Sequence, residues 1–444
     1  MVAVLEREVE VDRAPADRKR FLFAHWEGGG NTPPMLALVR KLISRGHEVR
    51  VIGDPCNREE VEAAGASFVS WERAPARKDK SVESDPLRDW EAKNPPAMIR
   101  RLCEALFVGT ALARAQDVLA TLKEFPADVI VTSEMLFGPM IAAEKAGIPC
   151  VAATANVYLF PTPGVPPFGP GFKPAKTFVG KAVQAVVRKM SQNVFAEYTE
   201  AFNAARTALG LEPVEHPFDQ IGRVDRVLVQ TSAAFDFTST KLPENVTYVG
   251  PEIEDPAWVE PWESPWAEND ARPLVLVGFS TTFQNQAEVL SNVIRALGGL
   301  DVRAVVTTGP AIDVDSLETA ENVHVCRTAP HNQLLKEASA VITHCGHGTV
   351  IRALAAGVPV VCMPMGRDQN DNAARVTARG AGVRVSPKAS ATAIRKAVVK
   401  VLGNESYLNA ARPLGERILK DARQSLAAEI LEEIACEAGV ARGT

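Results

Sequence analysis

Cysteine is scarce in this chain, and its spacing builds nothing. The seven cysteines, Cys56, Cys103, Cys150, Cys326, Cys345, Cys362 and Cys436, are odd in number, and no two stand close together. That argues against a disulfide framework or a zinc site and for reduced, buried thiols in a cytoplasmic protein. A strong excess of one charge is missing too. The formal net charge of −5 argues against a broad nucleic-acid-binding face. No apolar run approaches the ~20 residues of a membrane span, so no transmembrane segment is expected. The N-terminus, MVAVLEREVEVDRAPADRKR, has no apolar core of signal-peptide length and reads as a flexible lead-in over residues 1–19. In that compartment the Asn245-Val246-Thr247 sequon carries no glycosylation meaning.

What the chain does have is strand-helix alternation. Its 444 residues, 46% hydrophobic and 23% charged, fit two soluble domains, each of roughly 200 residues. Phe21–His25 reads as a strand, Trp26–Asn31 as a loop, and Met35–Arg45 as a helix opened by Pro33-Pro34. Gly46 stops the helix, and Glu48–Ile52 returns as a strand. The pattern repeats at Asp128–Thr132, Leu136–Ala146 and Ile148–Ala153, with a long amphipathic stretch, Ile99–Leu122, between the two units. Residues 160–176 (FPTPGVPPFGPGFKPAK) are neither helix nor strand. Such a segment is either a plain ordered loop or the wall of a binding cleft, with Phe160 as a candidate acceptor contact.

Residues 251–272 hold four prolines, three tryptophans and many acids, and this change of composition marks the domain boundary. The tryptophans are expected to pack the linker onto both halves. The alternation then restarts with strands at Leu274–Phe279, Val302–Thr307, Val323–Cys326 and Ala340–Thr343. The expected fold is α/β, with two Rossmann-like βαβ domains facing across a cleft. Their bounds are residues 20–250 and 273–425, and residues 426–444 form a C-terminal helix and tail.

The most informative segment runs from Thr343 to Ala374, THCGHGTVIRALAAGVPVVCMPMGRDQNDNAA. A strand enters a turn of small residues and then a helix at Gly348–Thr349. Such a turn offers unpaired backbone N–H groups and the positive end of a helix dipole, which suits a phosphate. His344 and Thr349 add side-chain donors. Asp368-Gln369 follows one strand later, so in a parallel sheet both spots open at the same edge. One edge able to hold a diphosphate and several hydroxyls reads as a nucleotide-sugar site.

His344-Cys345-Gly346-His347-Gly348-Thr349, Gly357-Val358-Pro359, Pro364, Asp368-Gln369 and Asn372-Ala373 together resemble the donor-binding signature of the inverting UDP-glycosyltransferases. That family has the two-domain GT-B fold. The resemblance implies that His344, Gly346, Gly348 and Thr349 hold the diphosphate, joined by Ser280 and Thr281 after the first strand of the second half. It implies that Asp368 and Gln369 hold sugar hydroxyls. Arg327-Thr328-Ala329-Pro330-His331 stands where many relatives carry Trp-x-Pro-Gln. Thr328 replaces the stacking tryptophan, so base recognition falls to backbone and apolar contacts around Ala329. Asp313-Val314-Asp315 spells a metal-binding motif of another glycosyltransferase class but stands away from the signature, and no metal or cofactor is expected.

The acceptor side departs from the pattern. The family's Gly-His-x-x-Pro, whose His is the general base, reads here as Gly30-Asn31-Thr32-Pro33-Pro34. Asn31 takes no proton near neutrality. The Asp that orients the His in the family reads as Ser133, with Glu134 beside it. Three sources of base remain open. They are His25, the working choice, with Asn31 positioning the acceptor; a carboxylate, Glu27 or Glu134; or an acceptor acidic enough to need none.

The sequence thus reads as a metal-independent, inverting glycosyltransferase. Its partners are a UDP- or TDP-sugar and a small lipophilic or aromatic acceptor, and the oligomeric state is open. The rivals are a non-catalytic nucleotide-sugar-binding protein and a GT-B epimerase or hydrolase.

Overall fold

A computed structural model of the chain describes residues 18–443 apart from 240, 256–261, 281, 283, 285, 310 and 311, with side chains as far as residue 438. Seven strands form the first sheet: β1 Arg20–Ala24, β2 Glu48–Gly53, β3 Ser67–Ser70, β4 Val129–Ser133, β5 Cys150–Thr154, β6 Arg226–Val229 and β7 Val246–Tyr248. Their order is β3-β2-β1-β4-β5-β6-β7. Six form the second: β8 Leu274–Gly278, β9 Arg303–Thr307, β10 Val323–Cys326, β11 Ala338–Thr343, β12 Val360–Cys362 and β13 Gly382–Arg384. Their order is β10-β9-β8-β11-β12-β13. Every pairing is parallel.

Parallel sheets are covered on both faces, which is why their strands are continuous apolar runs. In β1, Phe21 and Phe23 enter one core layer while Leu22 and Ala24 enter the opposite one. The same division places Val275 and Val277 of β8 against Leu274 and Leu276.

The covering helices of the first domain are α1 Thr32–Ser44, α2 Arg58–Ala63, α3 Pro95–Leu102, α4 Ala111–Glu124, α5 Phe137–Ala146, α6 Phe178–Ala196 and α7 Thr199–Ala208. Those of the second are α8 Ala287–Leu297, α9 His331–Leu334, α10 His347–Ala355, α11 Gln369–Ala378, α12 Ala391–Leu402 and α13 Glu405–Gln424. The last, α14 Ala427–Gly443, crosses back after Ser425 (φ 37°). Its Ala427, Leu431, Ile434 and Ala435 pack into the layer of α1 and β1 in the first domain.

Some expectations are corrected. The amphipathic stretch forms the end of α3, a π-helical turn over Cys103–Phe107, and α4 from Ala111. Pro95–Glu124 is nevertheless long and apolar enough, by length and composition, to cross a bilayer, and 56% of its most apolar window is buried in the fold. Its Cys103, Leu106, Phe107, Ala111, Ala115 and Val118 belong to the core of the first domain. Residues 53–98, which carry no clear pattern, contain α2 and β3. All seven cysteines are free thiols, but Cys436 is exposed and Cys56 and Cys326 are half-buried. In the linker, Trp262 and Trp266 both face His324, at 5.4 and 6.5 Å between centroids. They therefore lie on the second domain rather than one on each half, and Trp258 falls outside the described residues.

Candidate active site

In each sheet the strand order reverses once, between β1 and β4 and between β8 and β11. Ligands of open α/β sheets lie at the carboxyl ends of such strands. In the second domain that crevice lies between the segment after β8, which carries Phe279, Ser280 and Thr282, and the signature turn after β11. Cys345 takes a left-handed φ of 73° and its N–H donates to Thr343 Oγ1 at 3.2 Å. Gly346 is then the N-cap of α10, and no side chain caps this helix. Among the described residues, the first N–H groups of α10 are therefore left for an anion. Gly346, Gly348 and Thr349 are half-buried on its rim.

A Cβ on Gly346 would lie 2.6 Å from His344 Nε2, so glycine lets the imidazole rest against the turn. The ring stacks on Phe279 at 5.9 Å. Burial lowers the His344 pKa to about 4, leaving a neutral imidazole at pH 7 with one N–H to donate. Ser280 Oγ lies 3.0 Å from Thr282 Oγ1. Thr281 lies outside the described residues. On the base side, Ala329 is buried and Thr328 exposed. Asp313 and Asp315 are exposed, and Asp313 Oδ1 accepts the Asp315 N–H, so the first acid caps a short turn.

Asp368 and Gln369 open α11. Asn372 Nδ2 donates to Asp368 Oδ2 at 2.7 Å and to Cys345 O at 3.0 Å, tying this helix to the signature turn. Gln369 is buried. Its Oε1 accepts the Met365 and Gly366 N–H groups at 2.8 and 3.1 Å, and its Nε2 donates to Gln284 Oε1 at 2.9 Å. Asp368, half-buried, is the more open of the pair. Arg367, before it, adopts a left-handed φ of 51°, uncommon for a side chain. Its guanidinium bonds Thr282 Oγ1 at 3.0 Å and both carboxylate oxygens of Asp89 in the first domain.

In the first domain, Asn31 Oδ1 accepts the Gly28 N–H and its Nδ2 donates to Trp26 O, both at 3.0 Å. The amide thus closes its own loop. His25, 4% exposed, points Nε2 at Thr32 Oγ1, 3.0 Å away, and that hydroxyl donates to Glu27 Oε2 at 3.2 Å. Burial lowers the His25 pKa to about 4, opposed by Glu27. Glu27 is itself held by the Gly29 N–H and Asn57 Nδ2. The Phe160 ring is 5% exposed and packs between Tyr158 and Phe218, so it belongs to the core and not to a free wall.

Glu134 differs from all of these. It follows β4 at the switch point of the first sheet, and its carboxylate accepts from Ser133 Oγ at 3.1 Å. The Thr154 hydroxyl, 1% exposed, acts on the same carboxyl without completing such a bond. Burial raises the Glu134 pKa to about 7, and Asp368, across the domain boundary, pushes it the same way. Asp368 is likewise raised, first by burial, while Asn156 of the first domain and Asn372 steady its charge.

Pairings that the sequence did not mark close the domains on each other. His347 Nε2 meets Thr231 Oγ1 at 2.8 Å, and Arg375 Nε donates to Asp236 Oδ1 at 2.7 Å. The Gly169 N–H donates to Asp371 Oδ2 at 2.7 Å. A cavity of about 270 Å³, lined in part by Leu87, Glu104, Thr110 and Arg114, opens in the first domain near the Asp89 segment.

Residues 30–422 match the family described as UDP-glucoronosyl and UDP-glucosyl transferase. The chain is 31% identical over 421 residues to 4'-demethylrebeccamycin synthase of Lentzea aerocolonigenes, covering 91% of this chain and 96% of that one. Among solved structures it resembles the glycotransferase of kitacinnamycin, with TM-score 0.73 and 20% identity over 94% of this chain and 99% of that one. It also resembles the spinosyn rhamnosyltransferase SpnG complexed with thymidine diphosphate, with TM-score 0.65 and 16% identity over 93% and 100%. At these identities the two structures establish the fold, the two-domain GT-B architecture.

Proposed function

Because the chain belongs to the UDP-glucoronosyl and UDP-glucosyl transferase family and is a glycosyltransferase, we propose that it moves a hexose from a UDP- or TDP-sugar to a small lipophilic or aromatic acceptor, with inversion and without a metal. The observation that carries this reading is the uncapped start of α10 opposite Asp368 and Glu134. The diphosphate takes the free N–H groups of α10, with His344, Ser280 and Thr349 as further donors. Arg367 supplies a cation beside it. The sugar lies towards Asp368, and Gln369 reaches it only by leaving Gln284.

The reaction is one displacement. The acceptor heteroatom bonds to the anomeric carbon from the face opposite the diphosphate. The carbon–oxygen bond to the phosphate breaks, and its electron pair leaves with the nucleoside diphosphate. The acceptor's proton goes to Glu134 rather than His25, because the His25 ring is engaged with Thr32, whereas Glu134 stands at the switch point within the influence of Asp368. The family's description, which prints UDP, and the rhamnosyltransferase seen with thymidine diphosphate support either nucleotide, and the synthase of 4'-demethylrebeccamycin supports a small acceptor.

Thermal melting with UDP and TDP tests the donor site. A ligand at a hundred times its Kd adds about 2.7 kcal/mol to a folded state that alone binds it. One of the two is expected to raise Tm, and His344→Ala to weaken the rise. Release of nucleoside diphosphate from UDP- or TDP-glucose should require an acceptor and survive EDTA. No shift with either nucleotide defeats the donor assignment, and release without an acceptor makes the enzyme a hydrolase.

A further inference from the structure

Large exposed apolar side chains gather on one helix. Phe178 is 86% exposed, Val179 69%, Val183 48%, Val186 59% and Met190 58%, and all lie on α6. From Val179 onward they recur every three or four residues, the spacing that keeps side chains on one face of a helix. Isolated exposed apolar residues need no explanation, but a continuous stripe marks a surface that something covers.

The charge around the stripe has one sign. Between Glu144 and Glu197 the chain has no aspartate or glutamate, yet it carries Lys145, Lys173, Lys176, Lys181, Arg188 and Lys189. In a protein of net charge −5 this is a local reversal. Lys173, Lys176, Lys181 and Lys189 are exposed. The neighbouring α3 carries Arg100, paired with Glu197 at 2.9 Å, and Arg101, paired with Glu91 at 2.7 Å, so the excess positive charge comes from the lysines. The helix is held in place. Thr177 caps it, Gln184 Nε2 donates to Lys173 O at 2.7 Å, and Arg188 Nη2 donates to Val165 O at 2.5 Å.

We propose that α6 docks the protein on an anionic lipid surface, its Phe, Val and Met stripe entering the acyl boundary and its lysines meeting headgroup phosphates. A basic amphipathic helix lying in the interface plane has this composition. A second copy of the chain fits less well, because a self-complementary contact would bring the same lysines together. The segment that leads into α6 also touches Asp371 on the donor side through Gly169. Docking therefore brings the edge of the cleft to the bilayer, where an apolar acceptor concentrates.

The test is co-sedimentation of the full chain with vesicles of phosphatidylcholine containing phosphatidylglycerol, against phosphatidylcholine alone. Binding is expected only to the anionic vesicles. It should fall at least about tenfold in Lys181→Glu/Lys189→Glu and at high salt, since each basic residue near such a surface matters separately. Val183→Gln/Met190→Gln should weaken it as well. These side chains are exposed, so Tm should not move. Equal sedimentation with both vesicle types, or with all variants, overturns the proposal. So does a dimer in analytical ultracentrifugation that Val183→Gln/Met190→Gln dissolves, which would give the stripe to a second copy. No turnover is needed, so this result stands apart from the donor and transfer tests.

Discussion

Glu134→Gln is expected to lower turnover by at least about 100-fold while leaving affinity for UDP or TDP unchanged, since a base acts in the transition state and not on the diphosphate. The sign of the pH dependence follows from the raised pKa. The base works as the carboxylate, so wild-type turnover should climb with pH and level off above about 7. Glutamine keeps the size of the side chain and removes that limb. Stability should move the other way. A carboxyl whose folded pKa lies above its unfolded one favours folding at acid pH, and that contribution is lost as pH rises towards 7. Glu134→Gln should therefore flatten the stability curve between about pH 4.5 and 7. The decisive comparison is His25→Ala. A limb that survives Glu134→Gln but disappears in His25→Ala returns the proton to the histidine. A profile indifferent to both, with rates that follow acceptor acidity, means that the acceptor needs no base.

The largest loss of stability is expected from Asp236→Ala, about 3–5 kcal/mol, because it leaves a buried guanidinium without its partner. Asp236 is 2% exposed and accepts from Arg375 Nε and Tyr248 OH, both at 2.7 Å, and from the Phe237 N–H at 2.6 Å. Arg375 also lies over the Phe237 ring at 4.6 Å. The pair joins the two domains, so the urea midpoint should fall and the transition should broaden or split. A midpoint within the range of an ordinary surface substitution would mean that water reaches the pair.

The two sheets were legible because parallel strands covered on both faces leave unbroken apolar runs such as Phe21-Leu22-Phe23 and Val275-Leu276-Val277. The donor turn was legible for a different reason: its glycines, His344 and Asp368 fall within one strand-turn-helix-strand unit. β3, Ser67–Ser70, has no such signal, since an edge strand with a partly exposed face carries serine and phenylalanine side by side. The domain contacts leave no trace either. Asp236 and Arg375 are 139 residues apart, and Asp89 and Arg367 are 278 apart, so no local pattern links them. Asn31 in place of a histidine was visible at once. That His25 turns to Thr32 depends on the path of the loop between β1 and α1, and that Glu134 comes under the influence of Asp368 depends on how strand ends meet across a cleft.

The return of α14 has a consequence for the order in which the molecule is made. The last helix supplies Leu431, Ile434 and Ala435 to the layer formed by α1 and β1, near the other end of the chain. On the ribosome, the first domain emerges early but keeps that apolar layer open until α14 has left the exit tunnel. The first domain is therefore completed only after the second has been made, and a chain broken off after Ser425 leaves the defect in the domain that was never cut.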